Sequence, residues 1–174
     1  DQHYGEALRE GLNDENPATR LASIKALGFL QFQPAVEDLK KILRDANRVD
    51  TEQLTVVISL GNMGDHSVIP DLKPLLNHEE VNIRWDAALS LAKLGDISGS
   101  HILANLMDRS YYTSFPEVDY QEADQAIMVA IQVSSDFTNE VFKGKLMILA
   151  SEDNNMEIRD TAIKTLKHVY GYQS

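Results

Sequence analysis

The chain has 174 residues, 43% of them apolar, which is enough for one ordinary domain with a continuous core. Its formal net charge of −11 opposes binding to the phosphate backbone of nucleic acids, which requires clustered Lys and Arg. The acidic residues are unevenly distributed along the chain, because residues 110–160 carry ten Asp or Glu against three Lys or Arg. Any partner that is steered by charge is therefore expected to be basic, and nucleic acid is not an expected ligand.

Other chemistry is limited by what the composition lacks. There is no cysteine, so disulfides, thiolate nucleophiles and thiolate metal sites are excluded, while the redox compartment stays undecided. The apolar runs are well below the roughly 20 residues of a membrane span. Residues 1–5 contain neither an initiator Met nor a signal segment, which favours a trimmed N-terminus. The expected location is cytoplasmic, with a periplasmic one left open.

A helical-hairpin pattern recurs along the chain, with first-helix spacings of 33 and 31 that later stretch to about 40. Within each first helix, apolar residues follow the three-and-four spacing of one buried face, and small residues allow close packing. The pattern predicts one repeat domain, 1–174, with about ten helices. In chain order its parts are a partial repeat at 1–13, hairpins at 15–45, 51–77, 81–109 and 120–151, and a partial repeat at 155–170. The chain is expected to be part of a longer array or to use its end segments as caps.

The helix boundaries carry recognisable chemistry. Asn16 is expected to cap a helix whose first residue is Pro17. Pro74 falls deeper in its helix, where it removes a backbone donor, and predicts a kink. Gly64 and Gly95 predict the turns between paired helices.

The repeat spacing of about 40 residues after Arg84 is explained by a loop insertion at 110–120. This insertion is rich in aromatic and acidic residues. Tyr and Phe on a loop offer a large contact area at little cost in rotamer entropy, so a partner-binding patch is one interpretation. The other is that the loop folds back on its own array, and both remain open. The candidate binding residues are Tyr111, Tyr112, Phe115, Glu117, Asp119 and Tyr120.

A second candidate surface is the side of the second helices that is expected to be exposed. Its charges are mixed in sign, which favours a protein ligand over nucleic acid. The residues singled out there are Lys40, Lys41, Arg44, Lys73 and Asn105, with the acidic Glu37 and Asp71 among them.

The pattern Arg-x-x-Ala-x-x-x-Leu-x-x-Leu-Gly-Asp, complete from Arg84 to Asp96 and weaker near Arg20 and Arg159, resembles HEAT repeats, especially the short variety of the phycobilin lyases. The resemblance implies an all-α, right-handed solenoid of about five helical hairpins, with first helices on the convex side and second helices on the concave side. Most members of this family are scaffolds.

In that family the repeated arginine commonly ties an inter-repeat loop. Arg20, Arg84 and Arg159 are therefore interpreted as a structural ladder, which Gln53 breaks. The resemblance implies carboxylate partners for them, and the suitable residues are Asp14, Glu79 or Glu80, and Asp153.

No catalytic constellation emerges from the remaining residues. The HEAT-repeat deoxyhypusine hydroxylases hold iron with several His-Glu pairs, whereas this chain has only His78-Glu79. Asp86 and Asp160 occupy similar repeat positions and are expected to be surface charges. Trp85 is either a binding anchor or, more simply, packed between repeats.

The sequence thus favours a non-catalytic scaffold that binds a protein or peptide through its concave second helices and the 110–120 loop, with no metal or cofactor. The alternative is a lyase or other enzyme subunit that holds a small ligand or chromophore in the groove. A purely structural segment of a longer array is the third interpretation.

Overall fold

The computed structural model describes residues 2–45 and 47–172, which form ten α-helices and five short 3₁₀ helices without a strand. Contacts group the chain into two compact units, Asp1–Ser98 and Gly99–Ser174, called unit 1 and unit 2 below. The boundary falls inside the hairpin expected at 81–109, after its first helix. The single repeat domain 1–174 stays a prediction.

Unit 1 is built as two layers of helices. The first helices α2, α4 and α6 lie side by side, while α3 packs on α4 and α5 packs on α6. Leucine, isoleucine and valine side chains from both layers fill the space between them. The six helices are α1 (Gln2–Glu10), α2 (Pro17–Leu30), α3 (Val36–Arg44), α4 (Asp50–Met63), α5 (Ile69–Leu72) and α6 (Val81–Lys93).

Unit 2 contains the remaining four α-helices and one 3₁₀ helix. Helix α10 packs on α9 and α8, and α7 packs on α8 and α9. The 3₁₀ helix Arg109–Ser114 occupies the first half of the predicted insertion. The four helices are α7 (Ser100–Leu106), α8 (Tyr120–Ser134), α9 (Glu140–Glu152) and α10 (Met156–Tyr170).

Helix ends follow the local sequence chemistry. The Asn16 side chain accepts a hydrogen bond from the Ala18 N–H, and Pro17 starts α2. Gly64 adopts a φ of 74° just after α4, a left-handed conformation that favours glycine. The α-helical geometry of α5 ends at Leu72 and continues as a 3₁₀ helix, Lys73–Asn77, that contains Pro74. The expected kink is therefore a change of helix type.

Neighbouring first helices of unit 1 touch through a glycine and a serine. A Cβ atom added at Gly28 of α2 would lie 2.6 Å from the Ser59 Cβ and 2.7 Å from its Cα. The Ser59 hydroxyl donates a buried hydrogen bond to the Ile24 carbonyl oxygen, at 3.0 Å. Only glycine leaves room for so close an approach.

The same contact recurs one repeat later, between α4 and α6. A Cβ at Gly61 would lie 2.5 Å from the Ser90 Cβ and 2.8 Å from its Cα. The Ser90 hydroxyl donates to the Val57 carbonyl oxygen at 3.0 Å. This repeated pair, called the glycine–serine seam below, fixes the spacing of the first-helix layer.

The three arginines of the proposed ladder share one hydrogen-bonding pattern. In each case Nη1 donates to a main-chain carbonyl of the loop before its helix: Arg20 to Asp14 at 2.9 Å, Arg84 to Glu79 at 2.8 Å, and Arg159 to Asp153. The resemblance implied carboxylate partners in these loops, and the carbonyl oxygens take that place. A carbonyl partner does not depend on which side chain the loop carries.

Gln53, expected to break the ladder, makes a similar bond. Its Nε2 donates to the Asp45 carbonyl oxygen at 3.3 Å, so a neutral carboxamide reaches the preceding loop. The adjacent Glu52 is fully buried and receives two arginines, Arg20 at 2.7 Å and Arg48 at 3.0 Å. A buried carboxylate with two cationic partners keeps its charge compensated.

We expect Gly28→Ala and Gly61→Ala each to lower the free energy of unfolding by about 1–3 kcal/mol, because the added methyl meets backbone that cannot move freely. Urea denaturation followed by circular dichroism measures the effect. Gly144→Ala in α9 is the matched control, since nothing lies within 4 Å of its added Cβ. There the better helix propensity of Ala should stabilise the chain by about 0.5–1 kcal/mol. Equal changes in the free energy of unfolding at all three positions would contradict the close packing proposed for the glycine–serine seam.

Candidate functional site

The aromatic residues of the insertion form a packed cluster. Tyr112 is buried, and its hydroxyl donates to the Leu106 carbonyl oxygen at 2.8 Å. The Tyr111 ring meets the Tyr112 ring edge-on at 5.9 Å and the Phe115 ring at 5.0 Å between centroids. Burial raises the pKa of Tyr112, so its phenol stays neutral. Tyr112 is thus a core residue of unit 2, which corrects its predicted role as a partner contact.

The second half of the insertion leads into α8. Asp119 caps that helix: its carboxylate accepts from the Glu122 N–H at 2.8 Å, and the Glu122 side chain accepts from the Asp119 N–H at 3.0 Å. Glu117 and Tyr120 are exposed. The Arg109 guanidinium lies 4.7 Å from the centroid of the Tyr120 ring. Asp119 therefore has a structural task, and a binding role for Glu117 and Tyr120 stays a prediction.

Arg109 ties the insertion to the loop between α9 and α10. Its Nε and Nη2 donate to the two carboxylate oxygens of Asp153 at 3.0 and 2.9 Å, and Nη2 lies 2.6 Å from Asp124 Oδ1. The Asp153 side chain is fully buried. Burial alone would lower the pKa of Arg109, but its hydrogen bonds to the two carboxylates raise it. This role of Arg109 has no sequence signal, because the residue lies outside the repeated Arg-x-x-Ala pattern.

The charged residues predicted on the second helices of unit 1 are engaged in ion pairs. Lys40, expected to be exposed, is buried, with Glu37 at 2.8 Å and Asp71 at 3.5 Å. Asp71 also accepts from Arg44. Lys40 and Arg44, which were predicted to bind a partner, therefore connect α3 to α5 through Asp71.

The other predicted charges behave similarly. Lys41 lies 3.2 Å from Asp38, and Lys73 lies 2.8 Å from Asp96, so each has an intramolecular partner. Asn105, the last residue of this predicted set, is exposed on α7 in unit 2. A partner on this face of unit 1 would have to compete with ion pairs that already exist.

A different second helix, α9, exposes large apolar side chains. Val141, Met147 and Ile148 are 59%, 45% and 53% exposed, whereas Phe142, Leu146 and Leu149 on the other side are buried. Together with Gly144 and Ser151, both exposed, the first three form a surface called the α9 outer face below. Val141 and the adjacent Phe142 are both apolar, but they lie on different sides of the helix. The signal that would have found this face is a second set of apolar and small residues at three-and-four spacing.

Clefts flank this face on both sides. One lies between α9 and the 3₁₀ turn, where Lys145, Glu152, Asp108 and Arg109 surround an apolar floor of Met107, Ile148 and Leu149. The other lies between α9 and the end of α10 and is lined mainly by Met147, Ile148, Ile163, Leu166 and Tyr172. Ile148 borders both clefts.

Lys145 and Asp108 form an ion pair across the first cleft. Burial would raise the pKa of Asp108, but hydrogen bonds from Lys145 and Ser110 outweigh it and lower the pKa. The carboxyl therefore stays ionised at neutral pH, and it is unsuited to act as a general acid.

Asp86 departs from the expected surface charge. It is half-buried in α6, and burial raises its pKa to about 6, against an opposing effect of Lys93. Asp160, at the similar repeat position in α10, is exposed. The two positions are therefore not equivalent in their surroundings.

No group of three or more His, Asp or Glu among residues 2–45 and 47–172 is arranged to hold a metal ion. Nδ1 of His78, the residue of the single His-Glu pair, accepts from the Glu80 N–H at 3.0 Å as part of a loop. Within the same ranges, no helix combines the length and apolar character of a membrane span.

Comparisons with known proteins agree with this architecture. Residues 36–113 match the family model for HEAT repeats. The helical hairpins within residues 36–113 are therefore HEAT repeats. A solved structure of the complex of CpcE and CpcF of phycocyanin lyase, from Nostoc sp. PCC7120, is similar with a TM-score of 0.66 and 18% sequence identity. The match covers 97% of this chain and 65% of that one, so the chain spans less than two thirds of its structural relative.

The structural similarity concerns the fold. The predicted fold class, an all-α HEAT-like solenoid, is confirmed by the helical repeats and by this match. No curated protein sequence matches the chain.

We expect Arg109→Gln to lower the free energy of unfolding by about 2–3 kcal/mol, because it leaves the buried Asp153 carboxylate without its cation. Chemical denaturation measures the loss. Arg9→Gln is the matched control: Arg9 pairs with Asp38 in a more exposed setting, so its removal should change stability little. A smaller loss for Arg109→Gln than for Arg9→Gln would contradict this role.

Asp86→Asn should stabilise the chain at pH 7.5. Because the pKa of Asp86 is higher in the folded state than in the unfolded one, the native carboxyl holds its proton more tightly. The contribution of the Asp86 carboxyl to the free energy of unfolding is fully present below about pH 4 and is lost as the pH rises towards about 6. Asn removes that loss, so we expect a gain of about 1–3 kcal/mol at pH 7.5 that vanishes at pH 4. Denaturant titrations at both pH values test this, and a gain of the same size at pH 4 and pH 7.5 would contradict it.

Proposed function

We propose that this HEAT-repeat chain is a non-catalytic scaffold that binds another protein or peptide, with the α9 outer face as its main docking surface. The observation that carries the proposal is the exposure of Val141, Met147 and Ile148 on one helix whose other side is fully packed. Contiguous exposed apolar side chains rimmed by polar residues are typical of interaction surfaces.

The apolar area of the α9 outer face is large enough to form the centre of an interface, but not the whole of it. Fully burying a side chain of this kind contributes about 1.5–3 kcal/mol, so covering three half-exposed ones contributes roughly 3 kcal/mol in total. Association itself costs at least about 4 kcal/mol in lost freedom, so the clefts on both sides must take part. Lys145 and Glu152 provide a polar rim on one of them.

Part of the loop surface that was predicted from the sequence is included in the proposed docking surface. Tyr112 belongs to the core, but Glu117 and Tyr120 remain exposed in the same unit as α9. We propose that these two contribute to partner binding. The charged residues of α3 and the following segment, including Lys41, Arg44 and Lys73, are given a secondary role because their charges are already paired.

A second candidate function is that of an enzyme or lyase subunit with a small ligand or chromophore in a groove. The cleft beside α9 favours it, because an apolar floor and a few polar groups are the usual lining of a small-molecule site. The similar solved structure is a phycocyanin lyase complex, which is consistent with this candidate and equally with a protein partner. Since Lys145, Asp108 and Arg109 of that cleft are already engaged in ion pairs, the scaffold is the better supported function.

We expect a photoreactive amino acid placed at position 144 to cross-link a protein in extracts of the source cells. Nothing lies within 4 Å of a Cβ atom there, so the substitution leaves the fold intact. The same group at position 29 is the control, because Phe29 is 87% exposed but lies in unit 1. Mass spectrometry identifies the product.

An excess of unlabelled chain should suppress the cross-link from position 144, whereas an excess of the Ile148→Asp chain should not. Suppression by both chains, or the same products from positions 144 and 29, would contradict docking on the α9 outer face.

A further inference from the structure

Residues on the α9 outer face have the spacing of a helix-pairing seam. Val141, Gly144, Ile148 and Ser151 are separated by three, four and three residues, which is the spacing of the contact positions in paired helices. The buried side of α9 uses Phe142, Leu146 and Leu149. The helix thus carries one set of contact residues for its own unit and a second set that is exposed.

Large and small residues alternate along this seam. Gly144 faces open space, with no atom within 4 Å of an added Cβ. The Ser151 hydroxyl is turned back on its own helix, where it donates to the carbonyl oxygens of Met147 at 3.0 Å and Ile148 at 3.2 Å. Two small residues whose polar atoms need no external partner allow the backbone of another helix to approach closely.

The clefts on either side complete the geometry. In paired helices, side chains of one helix insert into holes beside the seam of the other. The cleft towards the 3₁₀ turn and the cleft towards α10 lie on opposite sides of Ile148. A peptide that binds by strand addition needs a free sheet edge, and the described residues contain no strand.

The charges around the seam indicate the chemistry of the partner. Both lysines of α9 are engaged: Lys143 lies 3.8 Å from Glu140, and Lys145 is paired with Asp108. Glu152 is exposed and has no ion pair among the described residues. Unit 2 as a whole carries eleven Asp or Glu against six Lys or Arg. The charge of Glu152 at the end of the seam is therefore uncompensated, and together with the net negative charge of unit 2 it complements a basic surface.

We propose that the partner segment on α9 is an amphipathic α-helix with basic flanks, which lies along Val141, Gly144, Ile148 and Ser151. This rests on the proposed function and specifies the chemistry of its partner. The apolar positions of that helix pack between Val141 and Ile148, and its Lys or Arg residues lie towards Glu152.

A displayed library of helical peptides tests the inference on the full chain. Each peptide is about three heptads long, with a fixed apolar seam and flanking positions randomised among Lys, Glu and Gln. We expect selection to enrich Lys in the flanks, and the affinity of the selected peptides to fall as salt is raised. Exchanging Lys for Glu in a selected peptide should weaken binding at least about tenfold.

Variants of the chain locate the binding site. Gly144→Leu fills the seam, and its Cβ meets no atom of its own unit within 4 Å, while Ile148→Lys adds charge to the seam; each should weaken the selected peptides at least about tenfold. Phe29→Lys, an equally drastic change at an exposed apolar residue of unit 1, should leave binding unchanged. A proline in the middle of a selected peptide should abolish its binding.

Several results would overturn the inference: no selected binder, enrichment of Glu, tolerance of the proline, or binders that ignore Gly144→Leu. A dimer in sedimentation equilibrium that Gly144→Leu disrupts would show that a second copy occupies the seam, which also overturns it. If the cross-link from position 144 finds a protein partner while the library finds no helical binder, the proposed function stands and the helical, basic partner is wrong.

Discussion

The close contact between neighbouring first helices is the constraint on which the rest of unit 1 depends. At Gly28–Ser59 and again at Gly61–Ser90, two backbones approach so closely that a methyl group would collide with a Cα atom. The serine hydroxyl bonds a carbonyl of the adjacent helix in both cases, so the contact leaves no buried donor unpaired. On the layer formed by α2, α4 and α6, the second helix α3 packs on α4 and α5 packs on α6.

Much of this architecture could be predicted from the sequence, because it depends on local patterns. Apolar spacing located the helices, and the Asn16–Pro17 cap placed the start of α2. The arginines at the starts of first helices could also be recognised, but their hydrogen-bond acceptors could not. A carbonyl oxygen is present in every residue and has no sequence signal, which is why Asp14, Glu79 and Asp153 were expected to act through their side chains.

The functional surface was harder to predict, because exposure depends on residues that are distant in the sequence. Lys40 is buried because Asp71, from the next repeat, lies beside it. Tyr112 is buried because its turn folds back onto unit 2, where its hydroxyl meets the Leu106 carbonyl. Val141 has the same apolar character as its packed neighbours in α9, so only the structure separates the two faces of that helix.

Gly144 gives the strongest reason to regard the outer face of α9 as functional. A glycine inside a helix costs about 1 kcal/mol relative to alanine, and the close contacts that justify this cost at Gly28 and Gly61 do not exist here. Exposed Val141 and Ile148 add a second disadvantage, since an uncovered apolar patch promotes aggregation. Neither feature helps unit 2 to fold. Both are explained if another helix covers this face, because the small residue admits its backbone and the large ones pack against its side chains.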